Sequence, residues 1–360
     1  MSLTNYTPFP AATWENTAAS DQAYMSAVCR IKYKLVPENE RGVWSLVLDT
    51  EQGDLFDEDI FYDDTNAQIR YGSDYLPYKP GTDIIINAIA QTPIPQQTWV
   101  CNVALLSPSN QTLLNKSLRI WGERFWNAQA ITGIWRLDKE AKPTHKLPIR
   151  YQYAYGGEIE LTKGETKEVI AREENNPIGC GLLHKKQNER TVHAPQIESI
   201  DDPIQKPYHP YTPQGFGYIN RTWGQRLIYG GTYDEEWLEH RHPLLPRDFD
   251  ERFYQSAHPD MVVSSYLPKG SKIRLTNLLA GESVQTIYLP DIDIFTRFRM
   301  NTTTVEVAMN IDTILLDIDA EDGNDHRVYV SWRYRYPMDE EILETAIYTK
   351  EDHPKEENHG

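Results

Sequence analysis

Cysteine is scarce: the 360 residues hold three, Cys29, Cys101 and Cys180. An odd number of widely spaced cysteines makes neither a disulfide framework nor a paired-cysteine zinc cluster. Positive charge is short as well, with 36 Lys and Arg against 53 Asp and Glu, a formal net charge of −17. Phosphate binding draws most of its affinity from Lys and Arg that release counterions, so this balance speaks against a nucleic-acid partner and against anionic membrane surfaces. Long apolar runs are missing. The stretch 84–90, itself interrupted by Asn87, falls far short of the roughly 20 residues that cross a bilayer, and no membrane insertion is expected. The first residues carry no basic and apolar leader, which together with the unpaired cysteines makes the cytoplasm the expected location. No internal repeat or heptad run occurs, so solenoids, propellers and coiled coils are disfavoured.

What is present is a globular composition, 39% hydrophobic and 25% charged, with 22 Tyr and 9 Trp. Between 27 and 36, Cys29, Ile31, Tyr33 and Leu35 alternate with Arg30, Lys32 and Lys34, the period of two of a half-buried strand. Further strands are expected at 43–48, 84–90, 98–106, 113–120, 272–278, 284–289, 303–309, 311–318 and 327–336. The expected class is mainly β: sandwich-like sheets with long ordered loops rich in Gly, Pro and aromatics, plus a few short helices. Two organisations fit, one domain over 20–340 or two β-rich lobes over 20–150 and 151–340. Residues 42–69 hold eight acidic residues, from Asp49 to Asp64, and no Lys or Arg, the composition of a solvated face or loop; whether they meet a basic partner is open. Ile342, Leu343, Ala346 and Ile347 recur at helical spacing behind Asp339, Glu340 and Glu341, which predicts a C-terminal helix. The charged segment 350–360 is expected to be disordered.

The middle, 151–257, is built from turns. Glycine serves where φ must be positive or another backbone comes close, and proline fixes φ. Large aromatics lie among the glycines and must pack, so these loops are expected to be ordered and to serve recognition. Asp248, with Glu251 three residues on, reads as a capping box that starts a short helix carrying Phe249 and Phe253 on one face. Asp234, Glu236, Asp248 and Asp250 near Trp223 and Trp237 also fit the acid pair and sugar platform of a glycosidase, but caps, turns and ion pairs explain them equally well. The histidines His193, His209, His240, His242 and His258 lack any zinc-binding spacing, and no metal or cofactor is expected. Gly179 and Gly181 lack the third glycine of a dinucleotide fingerprint, no nucleophile elbow occurs, and Cys180 reads as a structural thiol.

Six groups of residues follow one another in this segment. They are Tyr151, Tyr153, Tyr155, Gly156 and Gly157; Asn176, Pro177, Gly179 and Gly181; Pro213, Gly215, Phe216 and Gly217 with Trp223 and Arg226; Gly231, Thr232, Tyr233, Asp234 and Trp237; Pro243, Pro246, Asp248, Phe249 and Asp250; and Arg252, Phe253 and Tyr254. In this order, and with Lys79 to Asp83 and Gly122 to Arg124 before them, they resemble a bacterial adaptor family first catalogued as a domain of unknown function. The likeness runs from about Ala27 to Tyr336. It implies a non-enzymatic adaptor or chaperone that holds a PAAR-containing or VgrG-linked effector and loads it on the type VI secretion spike, with these loop residues as the partner-binding or loop-holding set and no catalytic residue. A carbohydrate-active enzyme or lectin, and a phage-like tail or baseplate component, are the alternatives.

Overall fold

The alternation around Cys29 and Ile31 becomes the strand Ala23–Pro37 in a computed structural model of the chain, which describes residues 2–38, 41–63, 68–163 and 166–351. Strands make up 47% of the structure and helices 7%, so the class is mainly β with curled sheets. The largest sheet has 13 strands. Its path runs Thr144–Pro148, Thr82–Gln96, Asn310–Ile318, Arg327–Pro337, Ala23–Pro37, Val43–Leu48, Val284–Tyr288, Lys272–Thr276, Thr98–Leu106, Thr112–Trp121 and Ile197–Ser199. Ala11–Thr17 and Val262–Val263 add to Ala23–Pro37 and Thr82–Gln96. A single residue separates Thr82–Gln96 from Thr98–Leu106, yet the two lie toward opposite ends of the path; the sheet curls to bring them near each other. Strands from the first and last thirds alternate within it, and one hydrophobic core unites Ile31, Ile85, Val103, Ile273, Leu316 and Trp332.

The face of Ala23–Pro37 expected to meet water is covered from Met25 to Ile31. Its charge is matched instead. Arg30 lies 2.5 Å from Asp74 and its guanidinium stacks 3.9 Å above the Phe56 ring. Arg333 reaches Asp312 at 2.5 Å, and Lys79 reaches Asp83 at 2.7 Å. All six side chains are buried, and such pairs survive burial only when further hydrogen bonds complete them. Asp83 does so by also accepting from the amide and hydroxyl of Ser256.

The C-terminal helix is not formed. Ile342–Thr349 is a strand, antiparallel to Ile294–Met300 and parallel to Ser2–Asn5, in a four-stranded sheet completed by Thr304–Ala308. Thr345 to Thr349 are all buried, so the segment lacks the alternation of a half-exposed strand, and its apolar spacing imitates a helix. A third small sheet of Phe125–Ala128, Trp135–Leu137 and Thr191–His193 has its own core of Trp126, Trp135, Tyr155 and Tyr211. From 352 onward the tail expected to be disordered lies outside the described residues, as does Asp64 of the acidic run. Asp49 of that run is buried against Lys32, Lys34 and Arg327, and Asp59 pairs with Arg221, so both belong to the fold.

Candidate functional site

Asn176 organises the first two groups of loop residues. Wholly buried, it donates its amide hydrogens to the carbonyls of Tyr151 and Tyr155, both at 2.9 Å. Its own carbonyl accepts from the amides of Gly157 and Gly179. This closeness explains the glycines: a Cβ on Gly156, at φ +150°, would stand 2.1 Å from the Asn176 carbonyl oxygen. The strand Tyr155–Gly156 then pairs in parallel with Cys180–Gly181, with Pro177 in the turn between Asn176 and Gly179.

The third group is anchored in the main core. Phe216 is wholly buried and its carbonyl accepts from the amide of Ile86, joining the loop to the large sheet. Gly215 lies against the Tyr151 ring, and Gly217 against the Gln68 amide, whose oxygen accepts from the Tyr151 amide. Trp223 meets Tyr151 edge to face at 5.2 Å and precedes the helix α1, Gly224–Leu227. From α1, Arg226 turns inward, donating to the Phe253 carbonyl at 3.0 and 2.7 Å and to the Ile219 carbonyl at 3.1 Å. Burial pulls its guanidinium down to about 10, still charged at neutral pH.

The remaining groups form a hairpin of turns around the helix α2, Glu235–His240. Asp234 caps α2 by accepting from the Trp237 amide, and the Trp237 indole donates to the Leu244 carbonyl. Asp248 does not cap a helix as expected. Its carboxylate accepts from the amide and hydroxyl of Thr232, at 3.0 and 2.7 Å, and clamps Gly231 and Thr232 to the Pro246–Phe249 turn. Asp250 is the cap of the 3-10 helix Glu251–Tyr254, where Phe249 and Phe253 do pack together, at 5.5 Å. Two residues closer to that helix, Asp250 can reach the Arg252 amide and leaves Asp248 free for Thr232.

The sequence reading missed a polar hub beneath these loops. Lys116, buried on Thr112–Trp121, donates to Gln214 at 2.9 Å, His258 Nδ1 at 3.0 Å and Asp260 at 3.0 Å. His258 Nε2 faces the Pro213 carbonyl at 3.2 Å, which fixes the tautomer with Nδ1 as acceptor. Burial and the Lys116 charge hold His258 down to about 4. Each ammonium hydrogen has an acceptor, so Lys116 is a tie between strand and loops. Sequence offered one hint, His258 among the histidines of the segment.

Most of the loop residues thus hold the loops. The large apolar side chains exposed in this segment include Leu227 and Ile228 at the end of α1, Tyr233 before α2, and Leu238 on it. A cleft of about 460 Å³ is bounded by Ile228 of these, with Tyr229, Gln214 and Asp260. A general acid working near neutrality needs a raised carboxyl pKa. Asp248 is held below the usual carboxylate range by Thr232, and Asp250 by Arg252. Cys180, half-buried, has its thiol pushed up to about 12 by burial, the reverse of a nucleophile's. Among the described residues no three His, Cys, Asp or Glu side chains converge as metal ligands, and no helix is long and apolar enough to cross a membrane. The sequence pattern of a family described as "Uncharacterized protein conserved in bacteria (DUF2169)" matches residues 20–333. No curated protein and no solved structure matches the chain.

Proposed function

The chain belongs to that bacterial family, DUF2169, and from this premise we propose that it is a non-enzymatic cytoplasmic adaptor that binds a PAAR-containing or VgrG-linked effector and loads it on a type VI secretion spike. One observation carries the reading. Leu227, Ile228, Tyr233 and Leu238 are 52, 74, 56 and 61% exposed on or beside the short helices α1 and α2, whose neighbours Arg226, Asp234, Asp248 and Asp250 are all spent on bracing. Large apolar side chains held out on a braced frame are the composition of a protein-binding centre, where little ordering entropy is lost on docking. The acidic residues beside them, Glu235, Glu236 and Glu239, suit a basic rim on the partner.

Co-expression with the PAAR or effector protein encoded nearby tests this. The wild-type chain is expected to co-purify with it, and the double variant Ile228→Asp, Leu238→Asp to lose it while keeping its thermal midpoint. Separate migration of the wild-type pair, together with effector delivery that survives deletion of the chain, overturns the proposal. Stoichiometric presence in isolated tail particles would favour a baseplate component instead.

A further inference from the structure

The chain carries one region whose charge runs against its total. A cleft of about 490 Å³ opens between the end of Thr112–Trp121, the small sheet around Phe125–Ala128, and residues 198–205. Its wall is aromatic, with Trp121, Trp126 and Trp135. Four cations (Arg119, Arg124, Arg136, Lys139) and two anions (Asp138, Glu198) line it, a local balance of +2 in a molecule of −17.

The two carboxylates are already committed to the fold. Glu198 accepts from the Trp121 indole at 2.7 Å through one oxygen, and from Arg124 and the Ile204 amide, each at 2.9 Å, through the other. Arg124 in turn stacks 4.2 Å from the Trp121 ring and donates to the Pro195 carbonyl. This buried group is a neutral, rigid floor. Asp138 accepts from the Phe125 amide through one oxygen and from the Asn127 amide through the other. Arg119 lies opposite Glu198 in the ladder, but the ion pair of Glu198 is with Arg124. Arg119, Arg136 and Lys139 therefore have no carboxylate partner among the described residues, and Arg136 and Lys139 are exposed.

We infer that this cleft is a second docking site, for a short acidic segment of a partner protein that alternates carboxylates with aromatic or aliphatic side chains. Guanidinium groups bind carboxylates in charge-assisted, often bidentate hydrogen bonds, and tryptophan walls take the apolar side chains between them. The occupant is short because a long polyanion would run on over a molecule whose net charge is −17 and be repelled. The inference goes beyond the adaptor reading and does not rest on it, since it concerns other residues and a partner of the opposite charge.

The test uses the full chain and a fluorescein-labelled decapeptide alternating glutamate and phenylalanine, followed by anisotropy. Binding is expected near micromolar, weakened about tenfold or more, or about 1.4 kcal/mol, in the double variant Arg136→Glu, Lys139→Glu. Both side chains are exposed, so the variant should retain the wild-type thermal midpoint, and a lysine and phenylalanine decapeptide should not bind. The variant Ile228→Asp should bind the acidic peptide normally, which separates failure here from failure of the adaptor reading. The inference is overturned if the charge-reversed variant binds the peptide as tightly as wild type, if no binding is seen at about millimolar peptide, or if a heparin-derived tetrasaccharide or a short oligothymidylate binds the cleft more tightly than the peptide.

Discussion

Arg226 reaches the main chain of Phe253 with two nitrogens of one guanidinium, closing a loop of residues into a ring against the large sheet. Its third bond, to Ile219, ties the same side chain to the strand-side end of the loop. Lys cannot reproduce this fork, because an ammonium is a point donor on a flexible stem. Arg226→Lys and Arg226→Ala are both expected to lower stability, the alanine variant by about 3 kcal/mol as buried carbonyls lose charged partners. Urea unfolding measures it, and an unchanged midpoint in the alanine variant would show that the brace is dispensable.

Asn176 gives a sharper contrast, since both its bonds are donations to carbonyl oxygens. Asn176→Asp keeps the shape but points acceptors at acceptors in a buried site, and is expected to cost about 3 kcal/mol or more. Asn176→Ala leaves the carbonyls unpaired and is expected to cost about 2 kcal/mol. Aspartate being worse than alanine is the diagnostic order; the reverse would mean that filling space matters more than donating.

Gly156 and Gly53 both have positive φ, +150° and +66°, but only Gly156 is crowded. Nothing lies within 4 Å of a Cβ on Gly53. Gly53→Ala is expected to cost only the backbone term of about 1 to 2 kcal/mol. At Gly156 an alanine must push aside the Asn176 carbonyl as well, so poor expression or a midpoint several degrees lower than that of Gly53→Ala is expected. Equal midpoints for the two variants would refute the close approach.

His258 makes stability depend on pH. Unfolded, it takes a proton near 6.5; folded, burial beside Lys116 lowers that to about 4. In between, the unfolded chain holds the proton and the folded chain does not, so stability should fall as pH drops from about 6.5 toward 4, by up to about 1.4 kcal/mol per pH unit, and this contribution should level off below. Asp260 and Lys116 face the imidazole: the Lys116 ammonium holds the Asp260 carboxyl below its usual range, and burial lowers the ammonium itself. His258→Asn keeps an acceptor near the Lys116 ammonium without titrating, and denaturation midpoints measured across the window should lose that slope.

Ser2–Asn5 covers one edge of Ile342–Thr349. Removing residues 1–5 takes away that partner and the packing of Leu3, and leaves a buried strand as an open edge. A stability loss of about 1 to 3 kcal/mol is expected, with concentration-dependent association in light scattering. A truncated chain that stays monomeric with an unchanged midpoint would contradict this.

Local composition reveals strands that are short β-type runs set between turn residues: Val43–Leu48 and Thr98–Leu106 have the limits read from sequence. It fails where partners erase the pattern. Ile294–Met300 buries Thr296 and turns Phe295 toward its surface, so no alternation is visible, and Ile342–Thr349 is enclosed enough to look helical. The loop residues were legible as a set, because glycines and buried amides must stand at fixed places in tight turns. Their division between bracing and exposure was not, since it depends on which loop lies next to which. Asp248 and Thr232 meet across 16 residues, and Lys116 meets His258 across 142, distances at which no periodicity operates.

The strand order has a consequence for how the molecule is made. Arg30 stands opposite Ser331 in the ladder, about 300 residues along the chain, so the central strand has no neighbour on that side until those 300 residues have been synthesised. At the usual 5 to 20 residues per second that is roughly 15 to 60 seconds with an apolar strand edge exposed on the ribosome. Closure of the large sheet is therefore late relative to the synthesis of its first strands and dominated by long-range pairing, and a nascent chain stopped before Arg327 has a sheet it cannot close.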